Sequence, residues 1–178
     1  MSNEVHRKSL KVNDCVGLFG TCGNSKWRDE FISCFEAQDI PFFNPQVDDW
    51  DPSLAQIEAE HLANDRILVW PITSETPGLG SIAETGFSLL QAIRLESRRE
   101  FVVMVDQTLD QEVHDEFSSD VIKESMRGRA LIIEHLKKLQ LDNVYLVADL
   151  KDALAVTINL WGIYQLRKNM IEPRLMSL

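Results

Sequence analysis

Five short apolar runs, each leading through a polar loop into a stretch with helical patterning, constrain this chain more than any other feature. They fall at residues 14–19, 40–43, 66–71, 101–105 and 144–147. Phe101-Val102-Val103-Met104-Val105 is apolar without alternation, as a strand must be when helices cover both of its faces. Parallel strands need a crossover between each pair, and the intervening helices supply it. The expectation is one α/β domain, a doubly wound five-stranded parallel sheet in flavodoxin-like order. The domain is expected over residues 14–168, with a polar lead-in at 1–13 and a tail at 169–178.

At 178 residues the chain can bury a sizeable core without staples. Its formal net charge of −10 argues against a nucleic-acid partner, because affinity for a phosphate backbone comes largely from lysine and arginine. No apolar run approaches the length of a membrane span, and residues 1–11 lack the apolar core of a secretory signal. Cys15, Cys22 and Cys34 form neither a CxxC pair nor an even set, so a reducing compartment is expected and the protein is read as cytoplasmic. A small-molecule partner fits this balance best.

The third apolar run opens into Thr73-Ser74-Glu75-Thr76-Pro77-Gly78-Leu79-Gly80-Ser81-Ile82-Ala83-Glu84-Thr85-Gly86. Pro77, Gly78 and Gly80 break regular structure, and a helix is expected over 81–96 with Glu84 in its first turn. At the carboxyl end of a parallel strand, a carboxylate there faces the place where open α/β sheets bind ligands. Ser81-x-x-Glu84 also reads as a capping box, in which the same carboxylate serves only its own helix.

Upstream, the loop Gly20-Thr21-Cys22-Gly23-Asn24-Ser25 precedes a helix over 27–38, with Asn24 or Ser25 available as a cap. Small residues, backbone N–H groups and a helix amino terminus are the parts of an anion site; a ligand-free turn is the plainer reading. The glycines match neither GxGxxG nor the Walker A pattern. The loop 44–52 carries Asn44 and Gln46, which can bond a base edge, Trp50, which offers a flat face, and Asp48 and Asp49, which accept from hydroxyls. In the next helix, Glu58 and His61 have the spacing of a metal half-site, but no second half accompanies them. No metal and no cofactor are expected. The final helix, over 150–168, is apolar around much of its circumference and suggests a homo-oligomer.

With Gly78-Leu79-Gly80-Ser81-Ile82-Ala83-Glu84-Thr85-Gly86 after a strand, the 20–25 loop and Asn64-Asp65, the sequence resembles the nucleoside 2-deoxyribosyltransferase-like family over roughly its first 105 residues. The resemblance implies cleavage of the N-glycosidic bond of a nucleoside or nucleoside monophosphate. It makes Glu84 the nucleophile, with the sugar passed to another base or to water. A second acid must protonate the leaving base, and Glu58, Glu60 and Asp49 are the candidates. Around them the implied substrate contacts are Gly20, Thr21, Asn24, Ser25, Asn44, Gln46, Asp49, Trp50, Gly78, Gly80 and Ser81. Where the transferase branch carries an aspartate upstream of Asn-Asp, this chain reads Ile57-Glu58-Ala59-Glu60-His61, which leaves transfer and hydrolysis both open. Two alternatives accompany this reading. One is a NAD glycohydrolase of the Toll/interleukin-receptor-like sort; the other is a non-catalytic nucleotide sensor on the same fold.

Overall fold

The computed structural model describes residues 12–23, 25–47, 51–86 and 90–175. Its five strands are β1 (Asn13–Leu18), β2 (Phe42–Phe43), β3 (Asp65–Ile72), β4 (Glu100–Val105) and β5 (Val144–Val147). All pair in parallel in the order β2-β1-β3-β4-β5, the flavodoxin-like order. The order reverses between β1 and β3, so the crevice for a ligand opens above their carboxyl ends.

Alternation along the central strand builds two cores. Leu68, Trp70 and Ile72 of β3 face one side with Phe101 and Val103, beneath Ile132, Ile133 and Leu136. Ile67 and Val69 face the other with Val16, Leu18 and Val102, where Phe31, Phe35 and Trp161 cover them. The first layer comes from α2 (Leu54–Asn64), α3 (Leu79–Glu84), α4 (Leu90–Leu95) and α6 (Ser119–Leu139), the second from α1 (Trp27–Ala37) and α7 (Leu150–Leu175). Between β4 and α6, α5 (Gln111–Glu116) packs Val113 against Leu109 and Ile122. Among the described residues no helix is long and apolar enough to cross a membrane.

The structure corrects several local expectations. The helix expected over 81–96 starts earlier and is interrupted. Gly78 takes the left-handed conformation at φ 63°, so α3 begins at Leu79; a wide turn follows at Thr85–Gly86, and α4 resumes at Leu90. Glu84 therefore ends α3 instead of lying in a first turn. Ser25 does not cap α1, whose N-cap is Lys26 without a side-chain bond. The Arg127-Gly128-Arg129 sequence does not break α6, because Gly128 is where Ile82 packs: a Cβ there would lie 2.8 Å from the isoleucine Cγ2. The 106–119 segment contains α5, and α7 runs past 168 to Leu175, through most of the segment read as a tail. Register between β1 and β3 also slips. Asn13 is opposite Asp65 and Val16 opposite Ile67, so β1 carries one extra residue in a bulge around Asp14 and Cys15.

Candidate active site

Three loops and two helices meet above β1 and β3. The loop after β1 follows the end of β3 through backbone bonds from Phe19 N–H to Val69 O and from Thr21 N–H to Pro71 O. Gly20 makes this approach possible: its φ is +97°, and a Cβ would fall 2.3 Å from Pro71 O. Arg28, buried in the inward stripe of α1, secures the turn from below. Its Nε donates to Leu18 O (3.0 Å) and its Nη1 to Thr21 O (2.7 Å), while Trp27 Nε1 donates to the same Thr21 carbonyl (3.0 Å).

The loop after β3 is fastened from the opposite side by Arg129 of α6, also buried. Its Nη1 donates to Ile72 O and Asp106 O, each at 3.0 Å, and its Nη2 to Thr73 O and Thr76 O, each at 2.8 Å. Ser125 adds a bond to Pro77 O at 2.7 Å. A planar guanidinium on four carbonyls fixes the chain immediately before Gly78 and α3.

The cleft so formed has a volume of about 450 Å³. Its lining includes Gly20, Thr21 and Cys22 from the first loop, Pro45, Trp70, Gly78, Gly80 and Ser81 around the third, and the carboxyls of Glu58 and Glu84. Trp70 forms the floor, buried, stacked on Phe19 at 5.6 Å and donating from Nε1 to Ser81 O at 3.4 Å. Glu84 belongs to an exposed residue of α3, yet surrounding protein desolvates its carboxyl enough to push its pKa above the ordinary 4.5, and the nearby charge of Glu58 pushes it further the same way. The capping box is not formed. Gly78 is the N-cap of α3, no side chain caps that helix, and Ser81 lies inside it, its carbonyl accepting from Thr85 Oγ1.

Several residues read as substrate contacts have other work. Gln46 accepts from Arg28 Nη1 at 3.1 Å and donates to Gly23 O at 2.7 Å, so both ends of its amide hold the loop. Asn44 accepts from Gln46 N–H in a local turn. Thr21 Oγ1 accepts from Thr73 N–H at 3.0 Å, and the buried Ser25 hydroxyl lies 3.5 Å from Thr73 Oγ1. These side chains shape the cleft and are not free to read a base. Asn24, Asp49 and Trp50 lie outside the described residues. Glu60 is exposed and pairs with Gln56, which leaves Glu58 as the acid among the described candidates that lines the cleft beside Glu84. The Glu58/His61 metal half-site does not assemble either, because His61 Nδ1 turns to Asp65 at 2.9 Å.

Arg28 and Arg129 were the functional supports that sequence reading passed over. Both stand in apolar helical stripes, Arg28 with Phe31 and Phe35, Arg129 with Ile122, Ser125, Ile132 and Leu136, and all of these are buried. An arginine in step with core positions is a signal for a buried guanidinium with many carbonyls to hold.

A second cavity of about 450 Å³ lies at the other end of the strands, between β3, β4 and α7. Its charged groups are largely committed to one another: Arg66 to Asp14 at 2.9 Å, Lys168 to Asp14 at 3.0 Å and Arg98 to Glu96 at 2.7 Å. The chemistry therefore gathers at the carboxyl ends.

No protein-family model matches the chain, and no curated protein matches it. Among solved structures, it is similar to the crystal structure of the RPS4 and RRS1 TIR domain heterodimer, with 9% sequence identity, a TM-score of 0.46, and coverage of 86% of this chain and 97% of that one. A likeness that distant adds nothing to the strand order already described.

Proposed function

We propose that the cleft cleaves the N-glycosidic bond of a small nucleoside or nucleoside monophosphate, with Glu84 as nucleophile and Glu58 as the acid that protonates the departing base. The observation that carries this reading is the convergence of two glutamates from separate helices on one cleft, the carboxyl of one of them desolvated and facing the charge of the other. A carboxylate in that position is relieved by developing positive charge, and the anomeric carbon of a breaking glycosidic bond supplies it. Attack by Glu84 forms an ester to that carbon as the C–N bond breaks and its electron pair leaves with the base. Glu58 delivers the proton that neutralises the base. A second base or water then attacks the same carbon, and the Glu84 carboxylate is released. The resemblance of residues 78–86 to the nucleoside 2-deoxyribosyltransferase-like family supports the same roles.

The test is to incubate the protein with ribo- and deoxyribonucleosides, their 5′-monophosphates and NAD, with and without a free acceptor base, and to follow base release by chromatography. Release or exchange that is lost in a folded Glu84→Gln variant is the expected result, and dependence on the acceptor separates transfer from hydrolysis. Nicotinamide release from NAD alone would move the substrate to the glycohydrolase alternative. Binding without turnover of any compound would make the cleft a sensor. We also infer that copies of the chain associate through α7, where Ile163, Leu166 and Met170 share one exposed face. Sedimentation equilibrium is expected to show a dimer or larger species that Leu166→Glu disperses; a wild-type monomer would refute it.

A further inference from the structure

Cys15, His61 and Asp65 come from β1, the last turn of α2 and the first residue of β3, at the end of the sheet away from the cleft. One ligand-capable atom from each lies within 4.8 Å of the other two. The bulge in β1 contributes to this meeting, since it disturbs the pairing with β3 just where Cys15 lies. His61 Nδ1 is 2.9 and 3.0 Å from the two Asp65 carboxylate oxygens, and the Phe43 ring lies flat on the imidazole at 3.8 Å with an interplanar angle of 1°. Asp65 is itself fixed by its surroundings. It is fully buried, its backbone carbonyl accepts from Arg99 Nε at 2.8 Å, and Asn13 Nδ2 approaches its Oδ1 at 3.5 Å. Gly17 leaves room for the carboxylate, because a Cβ there would stand 3.0 Å from Oδ2.

We propose that Cys15 Sγ, His61 Nδ1 and the Asp65 carboxylate form a mononuclear site for Zn²⁺ or a cation of the same class, with water as the fourth ligand. Thiolate, imidazole and carboxylate together suit zinc and its neighbours, and the sulfur disfavours magnesium and calcium. Tetrahedral zinc at ordinary bond lengths holds its ligand atoms about 3.3–3.7 Å apart, so a small rotation of the Cys15 side chain closes the set. Charge favours the ion as well. Burial first, then the charge of Asp65, push the Cys15 thiol up to about 12, so the metal-free protein keeps the proton on sulfur. The incoming dication takes its place: an S–H bond breaks, an S–metal bond forms, and the proton leaves to solvent. One thiolate and one carboxylate then cancel the two charges of the ion, while His61 binds as neutral imidazole.

The role is structural. Three elements that now meet through hydrogen bonds become one coordinated joint, and α2 is pinned to β1 and β3 one turn below Glu58. The site does not depend on the glycosidic chemistry proposed for the cleft.

The full-length protein, stripped with a chelator, should be titrated with Co²⁺ and then Zn²⁺. One equivalent of cobalt should produce a thiolate-to-cobalt charge-transfer band that zinc displaces. Zinc should raise the melting temperature of the wild type. Cys15→Ser should abolish the band, and His61→Gln should weaken binding by more than the ~10–100-fold that loss of an outer-shell partner costs. A Cys22→Ser/Cys34→Ser double variant, with Cys15 as the one thiol left, should keep the band even if Cys15→Ser fails to fold. No cobalt binding, binding without the charge-transfer band, or a band that survives Cys15→Ser or is lost from the double variant would each overturn the proposal and leave the trio a hydrogen-bonded joint.

Discussion

The Glu84 carboxyl loses its proton against two opposing influences, removal from water and the charge of Glu58. An unfolded chain releases that proton near the ordinary 4.5, and the folded protein holds it to higher pH, so between the two values the folded state binds more protons. The stability contributed is fully present below 4.5 and is lost as pH rises through the folded value. Glu84→Gln, which has no charge to bury, is therefore expected to match the wild type near pH 4 and to exceed it near pH 8 in urea unfolding. A helix cap predicts the opposite, a loss of about 0.5–2 kcal/mol. Sequence could place Glu84 at the crevice because a glycine-broken loop followed a strand. Its helical position was not legible, because that depends on Gly78 adopting a positive φ. Nor could sequence tell that Gln46 and Thr21 are occupied, since their partners Arg28 and Thr73 are distant in the chain.

At the scale of elements, the cleft walls are two loops held by two arginines. Arg129→Met keeps the apolar stem and leaves four carbonyls without their donor, so it is expected to cost at least about 3 kcal/mol in denaturant unfolding. Arg129→Lys should recover little of this, because a single ammonium cannot reach the carbonyls of Ile72, Thr73, Thr76 and Asp106 in one plane. The two glycines of the first loop separate strain from crowding. Gly20→Ala meets Pro71 O as well as an unfavourable φ and should cost about 1–3 kcal/mol, whereas Gly23→Ala, with φ +74° and open space around it, carries only the conformational part, about 1–2 kcal/mol. Comparing the two by thermal melts would expose any error in the assigned close approach. The strands themselves were legible because both-sided burial writes itself as continuous apolar sequence. The divided α3–α4 helix was not, since composition over 81–96 is helical throughout and only backbone geometry interrupts it.

Across the whole molecule, two groups of carboxyls pull the pH optimum in opposite directions. Desolvation pushes Glu84, Glu100 and Asp106 above their ordinary values, assisted for Asp106 by Asp110 and Glu75 and resisted at Glu100 by the Tyr145 hydrogen bond. Their contribution fades as pH rises through the folded values. Burial alone would raise Asp14, but hydrogen bonds from Tyr164, Lys168 and Arg66 outweigh it and bring it to about 2; the hydrogen bond from Arg98 brings Glu96 to about 2 as well. The contribution of these two is present above the unfolded values and is lost as pH falls toward 2. The urea midpoint is expected to peak in mildly acidic solution, and a maximum above pH 8 would contradict these assignments.

The strand order also sets a sequence of events during synthesis. A growing chain completes β1, β2 and β3, with Glu58 already on α2, before the fourth strand leaves the ribosome, and these three strands are mutual neighbours in the finished sheet. Arg129 emerges much later, on α6, and only then can the loop after β3 be drawn into place. The early half of the chain therefore carries both glutamates, and the late half supplies the clasp. A nascent chain stalled before α6 should protect β1 and β3 from proteolysis while leaving the 73–77 loop open to cleavage.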